Sequence, residues 1–321
     1  MALVLSLHLA WAGSRCVYAQ ELPPELSNLP ALTANEEELV AAVRRFDTLQ
    51  SALADWDLDM AKSLDENGDK DLAQMKADQA RQRFALIRQA YEYGLKYYRG
   101  NPKLTNFYGE LLYDRFGEFD YALRMWSLAT VMAPDYGPPY NNLAIHSCHC
   151  GQYDRGLQLF GTALQLEPEN PDYLFNLAQT YLVHGPQIRE IKGWDDLALY
   201  NEAMRLSQRA VKFAPDDYDI LEDYAVNFYA AENFGVQADW KRAAQAWQAA
   251  RPYAPNDTER FFTWLNEGRC WIRAGDMVAA ARCFDESLKI CPDSDIAKQL
   301  LAEAQGGAAA EPRAGEPPLK P

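Results

Sequence analysis

The chain's densest set of potential metal ligands is the stretch His-Ser-Cys-His-Cys at residues 146–150. On a helix, His146, His149 and Cys150 share one face at spacings of three and four, and imidazole and thiolate groups are common zinc ligands. A complete site needs a further ligand, and none lies nearby in the sequence. We therefore predict no metal site and keep these three residues only as weak candidates; the alternative is that they are packing residues.

No catalytic signature accompanies that stretch. The sequence contains no GxSxG, HExxH, P-loop or GxGxxG motif, and carboxylates on a solvated acidic face account for the abundance of Asp and Glu. We predict that the chain is not an enzyme and that it has no cofactor.

The charge balance also narrows the class of partner. Lys and Arg number 31 against 46 Asp and Glu, which gives a formal net charge of −15. Binding to phosphates or to anionic lipid surfaces needs clustered basic residues. We therefore expect a protein or peptide partner, no nucleic acid, and no membrane insertion of the mature chain.

The first residues have the composition of a targeting segment. An apolar run at residues 2–11 is too short to span a bilayer but suits a secretory signal, and Val17 and Ala19 fit cleavage before Gln20. We predict a signal peptide over 1–19 and an extended linker over 20–34. The mature chain would then be exported, to a bacterial periplasm or outside the cell; without a signal it would be cytoplasmic.

One pattern recurs five times along the chain. Small residues lie twelve and five positions before a proline, and a ring lies eight positions before it in four of the five copies. The prolines are Pro134, Pro168, Pro215, Pro255 and Pro292; the first small residues are Ala122, Gly156, Ala203, Ala243 and Ala280; the middle residues are Trp126, Phe160, Ser207, Trp247 and Phe284; the second small residues are Ala129, Ala163, Ala210, Ala250 and Ser287.

This order has a physical reading in helical hairpins. Small residues let two helices approach closely, the ring fills the space between successive hairpins, and proline ends the second helix. Each hairpin leaves an apolar face that its neighbour covers, so hairpins of this kind stack into a solenoid.

The pattern resembles the tetratricopeptide repeat family over residues 103–292. The clearest copies are 103–136 and 137–170, each 34 residues long, and the last copy keeps Trp264, Gly268 and Gly275. The resemblance implies an all-α solenoid of five helical hairpins, which would serve in protein binding.

The remaining segments complete this organisation. We predict a helical hairpin that caps the solenoid, five repeats with two insertions in loops, a closing helix and a disordered tail. Their ranges are 35–102 for the cap, 103–292 for the repeats, 184–196 and 232–237 for the insertions, 293–305 for the closing helix and 306–321 for the Gly/Ala/Pro-rich tail.

The resemblance also implies a peptide groove on the first helices of the hairpins. Asn142, Asn176, Asp223 and Asn266 occupy one point of that helix in successive repeats, with Tyr108 in the first. Side-chain amides there can both donate to and accept from a peptide backbone. The neighbouring groove candidates are Phe107, Leu111, Asn141, Ile145, Phe175, Gln179, Leu182, Tyr229, Arg269 and Ile272.

The groove prediction has one alternative and one departure from the family pattern. The asparagines could instead stabilise the stacking of helices. The lysines with which some family members capture a carboxylate are missing, since Glu222 and Leu265 stand at two of those positions and Phe107, Asn141 and Phe175 at the others.

We therefore predict a non-enzymatic module that binds an extended segment of a partner protein. The alternatives are a structural subunit of a cell-envelope or secretion assembly, and an accessory protein for a polysaccharide or small ligand. Within the family frame Cys270 and Cys283 fall on facing helices of the last repeat, which makes them candidates for a disulfide; two reduced packing cysteines are the alternative.

Overall fold

The computed structural model describes residues 35–306 and 317–320, so the predicted signal peptide and linker lie outside the described residues. The described chain forms fourteen α-helices. They are α1 Glu36–Glu66, α2 Lys70–Tyr97, α3 Pro102–Asp114, α4 Phe119–Met132, α5 Pro138–His149, α6 Tyr153–Leu166, α7 Pro171–Val183, α8 Gly185–Lys192, α9 Asp196–Phe213, α10 Tyr218–Val226, α11 Trp240–Ala250, α12 Asp257–Arg273, α13 Met277–Ile290 and α14 Asp295–Gln305. Two 3₁₀ segments, Asn227–Phe234 and Arg251–Tyr253, follow α10 and α11.

Polar caps begin most of these helices. Asn35 accepts a hydrogen bond from the backbone N–H of Glu38, and Asn101 accepts one from Leu104. Asn256 caps α12 in the same way through the N–H of Glu259. Such caps satisfy amide groups that the first turn of a helix leaves without a partner.

The described residues divide into two compact units, with the boundary between Met125 and Trp126. In the first unit α1 and α2 form a helical hairpin, and α3 packs against both. Its apolar core includes Leu39, Val43 and Ile87, all fully buried. Asp57 is also buried in this unit, where Lys76 and Arg83 each donate to its carboxylate at 2.9 Å.

In the second unit the helices pair in chain order. The pairs are α5 with α6, α7 with α9, α10 with α11, and α12 with α13, followed by α14 on α13. Each pair packs against the next through the contacts of α6 with α7, α9 with α10 and α11 with α12. This arrangement confirms the predicted all-α fold of stacked helical hairpins.

Small residues are required where the helices approach one another. A Cβ on Gly156 of α6 would clash with the Cys148 sulfur and lie 3.0 Å from the Ala144 carbonyl oxygen, both on α5. A Cβ on Gly268 of α12 would lie 2.5 Å from the ring of Phe284, which is fully buried on α13. The repeated small and aromatic positions therefore set the distance between paired helices.

Left-handed glycines mark the turns that lead into the second helices. Each of the five turns contains one glycine with positive φ, between 61° and 75° in four turns and 82° in the last, at Gly117, Gly151, Gly193, Gly235 and Gly275. Glycine adopts this conformation without the steric cost that a Cβ imposes.

The two insertions contain helical structure and buried apolar side chains. Residues 184–196 contain α8, whose Ile188 is fully buried in the core, and residues 232–237 include Phe234, also buried. The insertions contact each other, because a Cβ on Gly185 would lie 2.9 Å from the Phe234 ring. Each predicted insertion therefore contributes one apolar side chain to the interior of the second unit.

The predicted disorder of residues 306–321 does not hold for residues 317–320. Leu319 is hydrogen-bonded to Asn266 of α12 and joins the apolar cluster of the last repeat. Composition alone cannot reveal this contact, since the groups that hold the segment lie about fifty residues earlier in the chain.

Candidate functional site

The first helices of the second unit carry a row of polar side chains. We define the first-helix row as Asn141, Asn176, Gln179, Asp223, Asn227, Asn266 and Arg269, which α5, α7, the α10 helix with its 3₁₀ extension, and α12 contribute in turn. All members of the row except Asn227 are groove residues expected from the sequence.

At the α5 end the asparagines bind each other. The Asn176 side-chain amide donates to the Asn141 oxygen at 3.3 Å, and Asn141 is buried. Asn142 is half-buried beside them. These contacts join α5 to α7, which agrees with the alternative that such asparagines stabilise helix stacking.

The middle of the row is a closed hydrogen-bond network. Gln179 Nε2 donates to both carboxylate oxygens of Asp223 at 2.6 Å and to Asn227 at 3.1 Å. Asn227 donates in turn to Asp223 at 2.9 Å and to the Ser207 hydroxyl at 3.0 Å. Ser207, the only residue without a ring in the aromatic position of the repeat, is therefore a buried hydrogen-bond acceptor.

Burial raises the pKa of Asp223 to about 7. The hydrogen bonds from Gln179 and Asn227 oppose this shift, the nearby Glu222 carboxylate adds to it, and the ammonium group of Lys320 opposes it. Asp223 can therefore change its charge close to neutral pH while remaining hydrogen-bonded.

At the α12 end the row holds an extended backbone. The Leu319 N–H donates to Asn266 Oδ1 at 2.8 Å, and Asn266 Nδ2 donates to the Leu319 carbonyl oxygen at 2.8 Å. Arg269 Nη1 donates to the Pro317 carbonyl oxygen at 2.9 Å. Asn266 is fully buried under this segment.

The side chains of the segment meet two different surroundings. Leu319 lies in the apolar cluster around the buried Phe261 and Leu265, which also contains Ile272. Lys320 stays exposed, and its charge acts on Glu222 and Asp223. Burial and the neighbouring Glu259 raise the pKa of Glu222, whereas Lys320 lowers it.

Several expected groove residues pack against other side chains of the second unit. Tyr229 is buried between helices, with its hydroxyl 3.3 Å from the Cys270 sulfur and its ring against Trp240. Its pKa is raised well above the ordinary value by burial. Ile145, Phe175 and Leu182 are half-buried and pack against the core of the second unit.

The three candidates of the first unit pack within that unit. Phe107 lies beneath the Arg44 guanidinium, 4.3 Å from its carbon to the ring centre. Tyr108 stacks on Tyr91 and donates to Glu92 at 2.9 Å. Leu111 is buried in the core of the same unit.

The weak metal candidates are not brought together as a site. The Cys150 sulfur lies 3.3 Å from His146 Nε2, whereas His149 acts on His184, whose pKa is lowered by burial and then by the His149 charge. Residues 35–306 and 317–320 contain no cluster of three or more potential metal ligands.

The two disulfide candidates are free thiols in this structure. Cys270 and Cys283 are both buried, and burial raises the pKa of the Cys270 thiol to about 12 and that of Cys283 to about 11. The structure thus has them as packing residues of the last repeat.

Two parts of the site are not predicted by the repeat pattern of the sequence. Asn227 lies one turn beyond Asp223 and is recognisable only once its network is seen. Residues 317–320 sit in a segment whose composition indicates disorder. The one sequence signal for this network is Ser207, whose polar side chain stands where the other repeats have a ring.

Comparisons with known proteins agree with this architecture at low identity. No protein-family model and no curated protein matches the chain. Similar solved structures include YrrB, described as a tetratricopeptide repeat protein with an unusual peptide-binding site (17% identity over 66% of this chain and 97% of that one, TM-score 0.45). The C-terminal part of a repeat protein from Cytophaga hutchinsonii is similar at 14% identity over 85% of this chain and 97% of its own, with a TM-score of 0.49.

PilW, described as a widely conserved type IV pilus biogenesis factor, is similar at 13% identity over 77% of this chain and 98% of its own, with a TM-score of 0.48. At these identities and scores the likeness concerns the fold alone. None of the helices in the described residues has both the length and the apolar character needed to cross a bilayer. The described residues thus form an all-α fold of stacked helical hairpins, of the tetratricopeptide-solenoid kind, with left-handed glycines in the turns.

Proposed function

We propose that this chain binds an extended segment of a partner protein on the first-helix face of α10 and α12. The observation that carries the proposal is the two-point pairing of the Asn266 side chain with the backbone of Leu319. A side-chain amide that both donates to and accepts from one residue reproduces the edge of a β-strand. Such pairing can hold any extended backbone. Selectivity for particular residues must then come from the groups that contact the side chains of the bound segment.

The rest of the row supports a site of limited length. Asn141 binds Asn176, and Gln179 binds Asp223 and Asn227, so these polar groups already have protein partners. A ligand that broke these hydrogen bonds would leave the buried Asn141 and Asn227 without those partners, which costs free energy. A bound segment is therefore centred on Asn266 and Arg269, while the network over α5 to α10 holds successive hairpins together.

Selection from a random peptide-display library against the immobilised full chain tests the proposal. Enriched peptides should bind the wild-type chain with micromolar affinity and lose at least about tenfold in the variant Asn266→Ala, since an unpaired backbone group costs about 1–3 kcal/mol. Asn201→Ala, at an exposed asparagine on α9, is the matched control and should leave binding unchanged.

Melting curves followed by circular dichroism accompany each variant. Loss of binding with an unchanged melting transition supports the site. A library that yields no enriched peptide, or peptides that bind Asn266→Ala as well as wild type, would contradict it.

We further propose that the mature chain is exported, on the strength of the apolar run and the Val17–Ala19 cleavage pattern. Mass spectrometry of the N-terminus of the native protein should then begin at Gln20. A soluble cytoplasmic protein that keeps Met1 would contradict this proposal.

A further inference from the structure

The segment Pro317–Lys320 presents its backbone to α12 in the manner of a bound ligand. Hydrogen bonds fall on Pro317 and Leu319 and skip Pro318. This alternation is that of an extended chain, in which every second residue faces the same side. A proline between the two contacts costs nothing, because no N–H is required there.

The surroundings of the segment select for two side chains. Leu319 is half-buried in the cluster that includes Phe261 and Ile272, which rewards an aliphatic residue. Lys320 follows directly and acts on two acidic groups of α10, Glu222 and Asp223. An acidic residue at that point would be repelled by the same pair.

We propose that the subsite formed by α10 and α12 recognises a short extended segment in which a leucine is followed by a lysine. The backbone carbonyl group two residues before the leucine accepts the hydrogen bond from Arg269. We also infer that residues 317–320 are the resident ligand of this subsite, which a partner segment of the same chemistry displaces. The inference rests on the proposed function and adds to it the sequence that the site prefers and the competitor that occupies it.

Occupation by the chain's own segment follows from mass action. A segment linked to the site through one chain has an effective concentration of the order of millimolar. If the isolated segment binds with an affinity of tens of micromolar, the linked copy lowers the apparent affinity for a partner by about ten- to a hundredfold. Only a partner with further contacts, or with the segment released, then binds well.

Binding of a labelled peptide measures this competition directly. The probe is fluorescein-labelled Ala-Gly-Glu-Pro-Pro-Leu-Lys-Pro, the sequence of residues 314–321, titrated with full-length chains and read by fluorescence anisotropy. The variant Leu319→Asp removes the apolar anchor of the resident segment and leaves the subsite intact. It should bind the probe at least about tenfold more tightly than wild type.

Charge is tested within the same assay. Lys320→Glu in the full chain should also release the segment and tighten probe binding, whereas Lys298→Glu, at an exposed lysine on α14, should not. A probe with Glu in place of the lysine should bind Leu319→Asp several-fold more weakly than the original probe, and the difference should shrink as salt is added.

Asn266→Ala introduced into the Leu319→Asp chain should abolish probe binding. Probe binding that survives this change, or equal binding by wild type and Leu319→Asp, overturns the inference. If Leu319→Asp instead converts a dimer to a monomer in sedimentation without changing probe affinity, the segment serves a second copy and the inference in its present form is wrong.

The outcomes separate this inference from the proposed function. Library-selected peptides that need Asn266, together with a probe that binds no variant, would leave the function standing and reject the resident ligand. Failure of both the selected peptides and the probe on chains with normal melting curves would reject both.

Discussion

At the scale of single residues, Asp223 is the group whose chemistry depends most on its surroundings. Its carboxylate is enclosed by Gln179 and Asn227, with Glu222 next to it in the chain. Burial raises its pKa to about 7, far above the ordinary value of 3.8. The folded protein therefore holds a proton at this position that the unfolded chain releases between about pH 4 and pH 7.

This shift predicts a pH-dependent stability with a definite sign. Because the folded state binds more protons over that range, the free energy of unfolding of the wild type should fall as the pH rises from 5 to 8. Asp223→Asn removes this titration, so the variant should gain on the order of 2 kcal/mol relative to wild type over the same range. Urea unfolding at pH 5 and pH 8 measures the difference.

Comparison of the two proteins cancels groups that titrate in both without interacting with Asp223; Glu222, whose carboxylate raises the pKa of Asp223, belongs to the measured difference. A wild-type stability that changes with pH no more than that of Asp223→Asn would show that the carboxylate is ionised throughout.

At the scale of elements, the distance between paired helices depends on glycine. On α6, Gly156 faces α5 at a distance that leaves no room for a Cβ, whereas a Cβ on Gly161 of the same helix meets no heavy atom within 4 Å. Both positions hold glycine in the same helix, so the difference between them lies in the packing around each.

These two glycines should respond with opposite signs to the same substitution. Gly156→Ala should lower the free energy of unfolding by about 1–3 kcal/mol, because the helices must move apart to admit the methyl group. Gly161→Ala should raise it by about 0.5–1 kcal/mol through helix propensity. Urea denaturation of both variants decides the matter, and destabilisation of equal size at both positions would contradict the close approach of α5 and α6.

At the scale of the whole molecule, the helix pairs of the second unit contact mainly their neighbours in chain order. Stability in such an array is close to a sum of local terms and neighbour interfaces. Damage at one end should therefore spread only over the adjoining hairpins.

Phe284→Ala tests this locality in the last repeat. Loss of a fully buried ring should cost about 3–5 kcal/mol there. Hydrogen exchange followed by mass spectrometry should show faster exchange over α12 to α14 and nearly unchanged exchange over α5 and α6. Uniform acceleration along the second unit would indicate a single cooperative block instead.

Much of the fold follows from the sequence by itself. Proline ends a helix and glycine adopts left-handed turns whatever the surroundings, and a small residue at a fixed distance from a ring encodes the approach of two helices. Such constraints act within a few residues, so a pattern repeated five times predicts the stacked hairpins that the structure has. The same local reasoning places Asn266 and Arg269 on the first helix of the last repeat, where they bind Pro317 and Leu319.

What the tertiary structure alone decides are the pairings between distant residues. Tyr229 points into the core instead of the groove because Cys270 and Trp240 lie against it, and Ile188 orders an insertion by packing inside. Residues 317–320 have the composition of a disordered tail, yet Asn266 holds their backbone across 53 positions of the chain. A hydrogen bond over that separation leaves no periodic trace in the sequence, since its energy is gained only after the helices that carry it have stacked.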